Sequence, residues 1–166
     1  MTCWITTHWP VPADVAESMR HVYVKTDRHL CSVPRKGDIV LLYQAKIAKV
    51  HSKRVHKAEL WRRRKPTEEL LDVPVGVGGI IGRMTVKEEK RDICDDDVVL
   101  DYGNLREGSG FIWEIIPCHK WCPCNPHLLR GGLMKAIGKP RDTPPRFLSL
   151  YRVPDQFVPA LLGLIA

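Results

Sequence analysis

The chain has 166 residues, of which 44% are apolar and 27% are charged. This length fits one domain with a sizeable core, and the charged fraction is too ordinary for global disorder. No run of about 18 apolar residues predicts a membrane-spanning helix, and residues 1–4 lack the basic flank of a signal peptide. Six cysteines without a secretory signal predict reduced thiols, so we expect a cytoplasmic protein.

The net charge of +7 is concentrated in one segment. Residues 46–65 carry nine cationic side chains and one acid, a net charge of +8, so the rest of the chain sums to −1. A cluster of this kind attracts polyanions, of which phosphate backbones are the commonest. The alternatives are a solvated face without a partner, an acidic protein and an anionic membrane, and the last is disfavoured because the segment lacks an apolar stripe. The candidate backbone-binding residues are Lys46, Lys49, Lys53, Arg54, Lys57, Arg62, Arg63, Arg64 and Lys65.

Strand and turn signals dominate the start of the chain. Short apolar and β-branched runs predict strands at residues 3–7 and 22–24, with helix formers at residues 13–20 between them. Residues 34–38 predict a turn, because proline fixes its φ and glycine adopts positive φ. The continuous apolar run at residues 39–43 is typical of a strand that is buried on both faces.

The remainder of the chain mixes strands, a charged stretch and a closing helix. The basic segment has no decisive periodicity, and a threonine cap predicts a short helical turn after it. The β-branched and aromatic runs predict strands, and the apolar tail predicts a helix. These elements are the helical turn at residues 67–71, strands at 80–86, 111–116 and 148–153, an irregular loop at 117–126 and a helix at 157–165.

The elements together predict a mixed α+β protein with a curved sheet. Five or six strands and three or four helices are expected. We see no repeat and no linker, so we predict a single domain over residues 1–166 with a basic insert at about residues 46–74.

Two kinds of chemistry find little support in the sequence. Cys118, Cys122, Cys124 and His127 offer enough zinc ligands, but the C-x-C spacing strains chelation of one ion, so free thiols are favoured. We therefore expect no metal and no other cofactor. Ser109 lies in no nucleophile elbow, and no paired carboxylates stand in an acid-catalysis context, so nothing specific favours an enzyme.

The aromatic residues fit a binding role. Trp4, Trp9, Tyr43 and Trp113 lie on or beside predicted strands, where a single ring most often belongs to the core. Together with a basic segment they fit nucleic-acid binding, because bases stack on aromatic faces while Lys and Arg hold the backbone.

Five short motifs, in the same order over most of the chain, resemble EVE domains. The most specific is a basic Gly-Asp turn that leads into a strand ending in tyrosine. The motifs are residues 4–10, 35–43, 79–86, 111–115 and 146–153.

The resemblance implies a PUA-like, strongly curved β-barrel with flanking helices, an architecture shared with YTH and ASCH domains. It also implies a binding module without enzymatic activity, since relatives hold a modified base in an aromatic pocket. We therefore predict recognition of a methylated or hydroxymethylated base, such as 5-methylcytosine, in DNA by base flipping. Because EVE-type modules are attached to nucleases in bacterial defence, the chain is a candidate recognition domain of a modification-dependent restriction system, with a nuclease or other effector domain as partner.

The predicted pocket combines stacking and hydrogen-bonding side chains. Aromatic rings would hold the extruded base, and polar groups where the first two strands leave the sheet would read its edge. DNA is favoured over RNA, with an RNA-binding module of the YTH or ASCH kind and a small-molecule or nucleotide-derivative enzyme as alternatives. The stacking candidates are Trp113, Trp9 and Tyr43, and the edge readers are Thr6, Thr7, His8 and Gln44.

Overall fold

The computed structural model describes residues 1–8, 20–25, 32–45, 76–92, 113–139 and 150–166. These residues form eight strands and two α-helices, with one turn of 3₁₀ helix before the second α-helix. The strands are β1 (Cys3–His8), β2 (His21–Lys25), β3 (Ile39–Gln44), β4 (Gly79–Thr85), β5 (Arg91–Asp92), β6 (Trp113–Pro117), β7 (Cys122–Leu129) and β8 (Tyr151–Arg152). The helices are α1 (Arg130–Ala136) and α2 (Val158–Leu164), and Asp155–Phe157 is the 3₁₀ turn.

A five-stranded sheet forms the centre of the fold, in the order β7-β4-β3-β1-β8. Strands β1 and β3 are parallel, and the other neighbours are antiparallel. The four inner residues of β3 are all buried, which confirms that its continuous apolar run is covered on both faces.

A long bent ribbon joins this sheet to a second one, in the order β2-β6-β5. One arm consists of β4 and β5, and the other of β6 and β7, because β4 pairs with β7 and β5 pairs with β6. At the bend, Val86 pairs with Cys118, and the His119 N–H donates to the Thr85 carbonyl at 2.9 Å. The pairing continues from β4 and β7 through the bend to β5 and β6, so the two sheets form one curved β-surface.

The central sheet separates two apolar clusters. The helical cluster lies beneath α1 and α2 and includes Ile5, Leu41, Leu133 and Leu161. The intersheet cluster contains side chains from both sheets; its members include Trp4, Val22, Val24, Val40, Leu42, Met84 and Ile116. Side chains of a strand alternate between its faces, so successive residues of β3 enter different clusters.

The predicted turn at residues 34–38 is confirmed, and one carboxylate holds it. Gly37 has φ of 89°, a conformation that glycine adopts without strain. The Asp38 carboxylate is buried and accepts N–H bonds from the Thr2 backbone at 2.7 Å, the Arg35 backbone at 3.0 Å and the Trp4 indole at 3.1 Å. The Gly-Asp motif therefore fixes the start of β1 against the start of β3.

Most predicted elements that fall on described residues are confirmed. Strands form at β1, β2, β3 and β4, the described parts of the two later predicted strands form β6 and β8, and the closing helix forms α2. Six strands have five or more residues, in line with the expected number, and β5 and β8 are two-residue additions. The predicted helix at residues 13–20 lies outside the described residues except for Arg20, as do the whole turn at 67–71 and the basic insert.

The irregular loop expected at residues 117–126 is wrong. Strand β7 begins at Cys122 and pairs with β4, although its sequence contains two prolines. Gly79 and Gly82 permit this pairing: a Cβ on Gly79 would lie 2.4 Å from the Leu128 carbonyl oxygen. The pairing register between β4 and β7 shifts between Ile80 and Gly82. Because β7 is the outermost strand of the sheet, it tolerates this irregularity. No helix in the described part is long and apolar enough to span a membrane.

Candidate functional site

The carboxyl ends of β1 and β3 lie side by side at one edge of the central sheet. Because these strands are parallel, both end at the same edge, with Thr7 opposite Tyr43 and His8 opposite Gln44. The structure thus brings together the backbones of five of the seven predicted pocket residues, since Thr6 precedes Thr7 on β1. Because side chains alternate along a strand, Thr7 and Tyr43 lie on one face of the sheet, and Thr6 and Gln44 lie on the other.

Two further strands reach the same edge. Gly79 begins β4 opposite Gln44, and Leu129 ends β7 opposite Gly79. The backbone N–H of Arg130 donates to the Gly78 carbonyl at 3.0 Å. We call residues 6–8, 43–44, 77–79 and 129–130 the candidate edge.

The candidate edge also anchors both ends of the segment that contains the basic insert. The chain leaves the described structure after Ala45 and returns at Gly76. Since Gln44 pairs with Gly79, these two points lie at neighbouring strand ends. The segment that joins these two points contains the nine cationic residues, which lie outside the described residues: Lys46, Lys49, Lys53, Arg54, Lys57, Arg62, Arg63, Arg64 and Lys65.

Tyr43 is held in the helical cluster with 8% of its surface exposed. Burial raises the pKa of its phenol above the ordinary value of 10, and the positive charge of Arg130 partly opposes this shift. The phenol is therefore protonated at neutral pH and can donate a hydrogen bond. Its role as a stacking surface stays a prediction.

The polar candidates differ in exposure. Gln44 is half-buried, and its Oε1 accepts the Val77 N–H at 3.0 Å, which fixes the carboxamide and leaves its NH₂ group as the end that can donate to a ligand. Thr6 is buried and Thr7 is exposed. The side chain of His8 lies outside the description, so its part in edge reading stays a prediction.

The structure describes the side chain of neither predicted tryptophan. Trp113 begins β6 in the second sheet, where its backbone pairs with Lys25, and its side chain is not among those described. Trp9 lies outside the described residues. The composition of an aromatic pocket therefore rests on the sequence alone.

The described cysteines have no common ligand geometry. Cys118 is buried and its Sγ donates to the Ile116 carbonyl at 3.4 Å, while burial raises its pKa to about 12. Cys124 is also buried, whereas Cys122 is exposed. Within the described ranges, no three His, Cys, Asp or Glu side chains form a group suited to a metal ion.

Sequence reasoning missed the contribution of β7 and α1 to the candidate edge. Leu129 and Arg130 lie about 85 residues from Gln44 in the chain and reach it only through the pairing of β4 with β7. One signal was available: residues 115–141 contain five Lys or Arg and no acid. This local excess of positive charge is not visible in the net charge of the whole chain, because the segment at residues 46–65 dominates that sum.

No protein-family model matches the chain, and no curated protein matches it. Solved structures share its fold. ASCH from Zymomonas mobilis is similar over 99% of this chain and 96% of its own, with a TM-score of 0.57 and 12% identity. A Pseudomonas putida protein has a TM-score of 0.54 and 12% identity, with 99% of each chain covered.

Human THYN1, solved in complex with DNA that contains 5-methylcytosine, is similar over 99% of this chain and 97% of its own, with a TM-score of 0.54 and 10% identity. At such identities the likeness concerns the fold. The chain has a PUA-like α+β fold, as the resemblance to EVE domains implied. Membership of the EVE family itself stays a prediction.

Proposed function

We propose that this protein binds nucleic acid and recognises a modified base, with 5-methylcytosine in DNA as the first candidate. One observation carries the proposal: the segment 46–75, which has a net charge of +5 and contains the +8 window of residues 46–65, joins two neighbouring strand ends of the candidate edge. The fold shared with human THYN1, whose structure contains 5-methylcytosine DNA, supports the choice of ligand.

The proposed mechanism separates affinity from recognition. The cationic residues bind phosphates and supply an affinity that falls as salt rises. A duplex buries the base edges that a pocket must contact, so the target base is flipped out of the stack at a cost of a few kcal/mol. The Gln44 amide, whose Oε1 is held by the Val77 N–H, is proposed to donate to the polar edge of that base, and apolar contact reads its methyl group.

The protein is proposed as a cytoplasmic binding module without catalytic activity of its own. We further propose that a nuclease or other effector domain acts on the DNA that this module has bound, as in modification-dependent restriction. Co-purification of a nuclease with the tagged protein from its native host would support this restriction role. If the purified complexes contain no nuclease, the restriction role is wrong.

The test compares five oligonucleotides of one sequence by fluorescence anisotropy at about 50 and 200 mM salt. They are duplex DNA with and without one 5-methylcytosine, the two matching single strands, and the matching RNA. We expect the methylated DNA to bind more tightly than its unmodified counterpart at both salt concentrations. Equal affinities with a steep salt dependence would reduce the function to polyanion binding, and tighter binding of RNA would favour the RNA alternative.

Two variants test phosphate binding and base recognition separately. The triple variant Arg62→Ala, Arg63→Ala, Arg64→Ala should weaken binding to all the DNAs alike and lower the salt slope by roughly one for each phosphate that is no longer bound. Lys36→Ala is the matched control, because Lys36 is exposed beside the Gly37 turn at the opposite edge of the sheet. Trp113→Ala tests the predicted stacking role: loss of the preference for the methylated base by a folded variant would support a place for the ring in the pocket, whereas global unfolding would assign Trp113 to the core.

A further inference from the structure

Leu129 presents an apolar side chain to solvent at the candidate edge. It is 58% exposed, and the other exposed large apolar residues of the described ranges, Met1 and Leu164, lie elsewhere in the fold. A single exposed leucine is ordinary on a protein surface. Its position is informative, because Leu129 ends β7 opposite Gly79, next to the strand ends that carry Gln44 and Tyr43.

The backbone beneath Leu129 is held on two sides. A Cβ on Gly79 would lie 2.9 Å from the Leu129 Cα, so β4 approaches β7 as closely as only glycine allows. On the other side, the Arg130 N–H is bonded to the Gly78 carbonyl at 3.0 Å. The side chain therefore projects from a fixed backbone, which lowers the entropy lost when it is inserted into a partner.

The strand and the helix that meet at Leu129 carry cationic but no acidic side chains. Strand β7 and helix α1 contain no Asp or Glu, and their exposed side chains include Arg130 and Lys135. An apolar tip among cations is suited to a partner with an anionic backbone and an apolar interior, which describes a stack of paired bases.

We propose that Leu129 is a wedge that enters the base stack of a DNA duplex and occupies the space left by the extruded base. This inference rests on the proposed function and adds to it the residue that opens the duplex. Apolar side chains inserted between base steps unstack them and kink the duplex, and the contacts they make offset part of the cost. The wedge acts only on a duplex, because an unpaired base is extruded without it.

The test separates opening of the duplex from recognition of the base. Anisotropy is measured for Leu129→Ala on a methylated duplex and on the same methylated strand alone, with 2-aminopurine beside the target base to report unstacking. We expect duplex affinity to fall about tenfold and the 2-aminopurine signal to decrease, while single-strand affinity stays within about twofold. Leu164→Ala is the matched control, since Leu164 is 53% exposed on α2, and it should leave all three readouts unchanged.

Two further variants protect the test against misfolding. Leu129→Gln keeps the size and removes the apolar tip, so it should behave as Leu129→Ala does, whereas Leu129→Met should retain duplex opening. Unchanged duplex binding by Leu129→Ala, or an equal loss on duplex and single strand, would overturn the wedge while the proposed function stands. Failure of the wild-type protein to bind either methylated DNA would overturn both.

Discussion

The indole N–H of Trp4 donates to Oδ2 of Asp38 at 3.1 Å, across 34 positions of sequence. The same carboxylate accepts backbone N–H groups from Thr2 and Arg35. The bonds join the first strand to the turn before the third, so the most specific motif of the sequence has a structural role at the edge opposite the candidate edge. Three N–H donors lose their acceptor if this carboxylate is removed.

Asp38→Ala is expected to lower the free energy of unfolding by about 2–4 kcal/mol, because buried donors left without an acceptor are costly. Urea denaturation followed by tryptophan fluorescence measures the loss. The control is Asp155→Ala, which removes a carboxylate that is 75% exposed and should change stability by no more than about 0.5 kcal/mol. Equal midpoints for the two variants would show that Asp38 does not hold the turn.

Gly82→Ala is expected to destabilise the protein by about 1–3 kcal/mol through overpacking. A Cβ at this position would lie 2.1 Å from Cε3 of the Trp121 ring and 2.7 Å from the Cys122 carbonyl oxygen, so the ring or strand β7 has to move. Gly131→Ala is the control, because a Cβ there meets nothing within 4 Å and alanine favours the helix. Thermal unfolding should show a lower Tm for the first variant only, and a wild-type Tm for Gly82→Ala would contradict the packing described.

The ion pair of Lys90 and Glu114 should be coupled far more strongly than a surface pair. Its side chains are 12% and 14% exposed, and removal of one charge leaves the other poorly solvated. In a double-mutant cycle with Lys90→Met and Glu114→Leu, each single variant is expected to lose about 2–3 kcal/mol and the double variant to recover much of it.

The exposed pair of Lys87 and Glu88, with side chains 55% and 52% exposed, offers the comparison for this cycle. Its coupling energy should be close to zero, because solvent screens the two charges. Similar coupling energies for the two pairs would refute the distinction based on burial.

Stability should fall as the pH rises above about 9. Burial raises the pKa of the Cys3 and Cys118 thiols from the ordinary value of 9 to about 12, and the negative charge of Asp38 adds to the shift at Cys3. The unfolded chain ionises these thiols near pH 9 while the folded chain keeps them protonated. Their contribution is therefore complete below pH 9 and is lost towards pH 12.

Replacement of one buried thiol should flatten this dependence. Cys118→Ala is expected to reduce the slope of the unfolding free energy by up to about 1.4 kcal/mol per pH unit between pH 9 and 12. Cys122→Ala replaces an exposed thiol and should keep the wild-type slope. Denaturant titrations in steps of pH measure both, and identical slopes for the two variants would contradict the burial of Cys118.

The sequence predicted those elements that depend on residues close together in the chain, such as an apolar strand, a glycine turn and an apolar helix. The apolar run at residues 39–43 forms a strand with four buried residues, the Gly37 turn has positive φ, and the apolar tail packs on the helical cluster. Strand β7 escaped prediction because its proline-rich sequence has no strand signal of its own. Its pairing depends on two glycines of β4 that lie about 40 residues earlier.

Some residues of the candidate edge could be predicted from the sequence, and others could not. The sequence predicts that Thr7 and Gln44 lie where two strands leave the sheet, and the closeness of their backbones requires only that β1 and β3 run parallel. Leu129 and Arg130 belong to the edge through the register of β4 with β7, which the sequence does not specify.

The sequence by itself determined the segregation of charge, the main strands and the closing helix, because these follow from composition and from periodicity within a few residues. Only the tertiary structure decided that Asp38 binds Trp4, that the chain enters and leaves the segment 46–75 at neighbouring strand ends, and that Leu129 projects at the candidate edge. Each of these depends on hydrogen-bonded registers between strands that are distant in the chain, and such registers are set by the packing of the whole sheet.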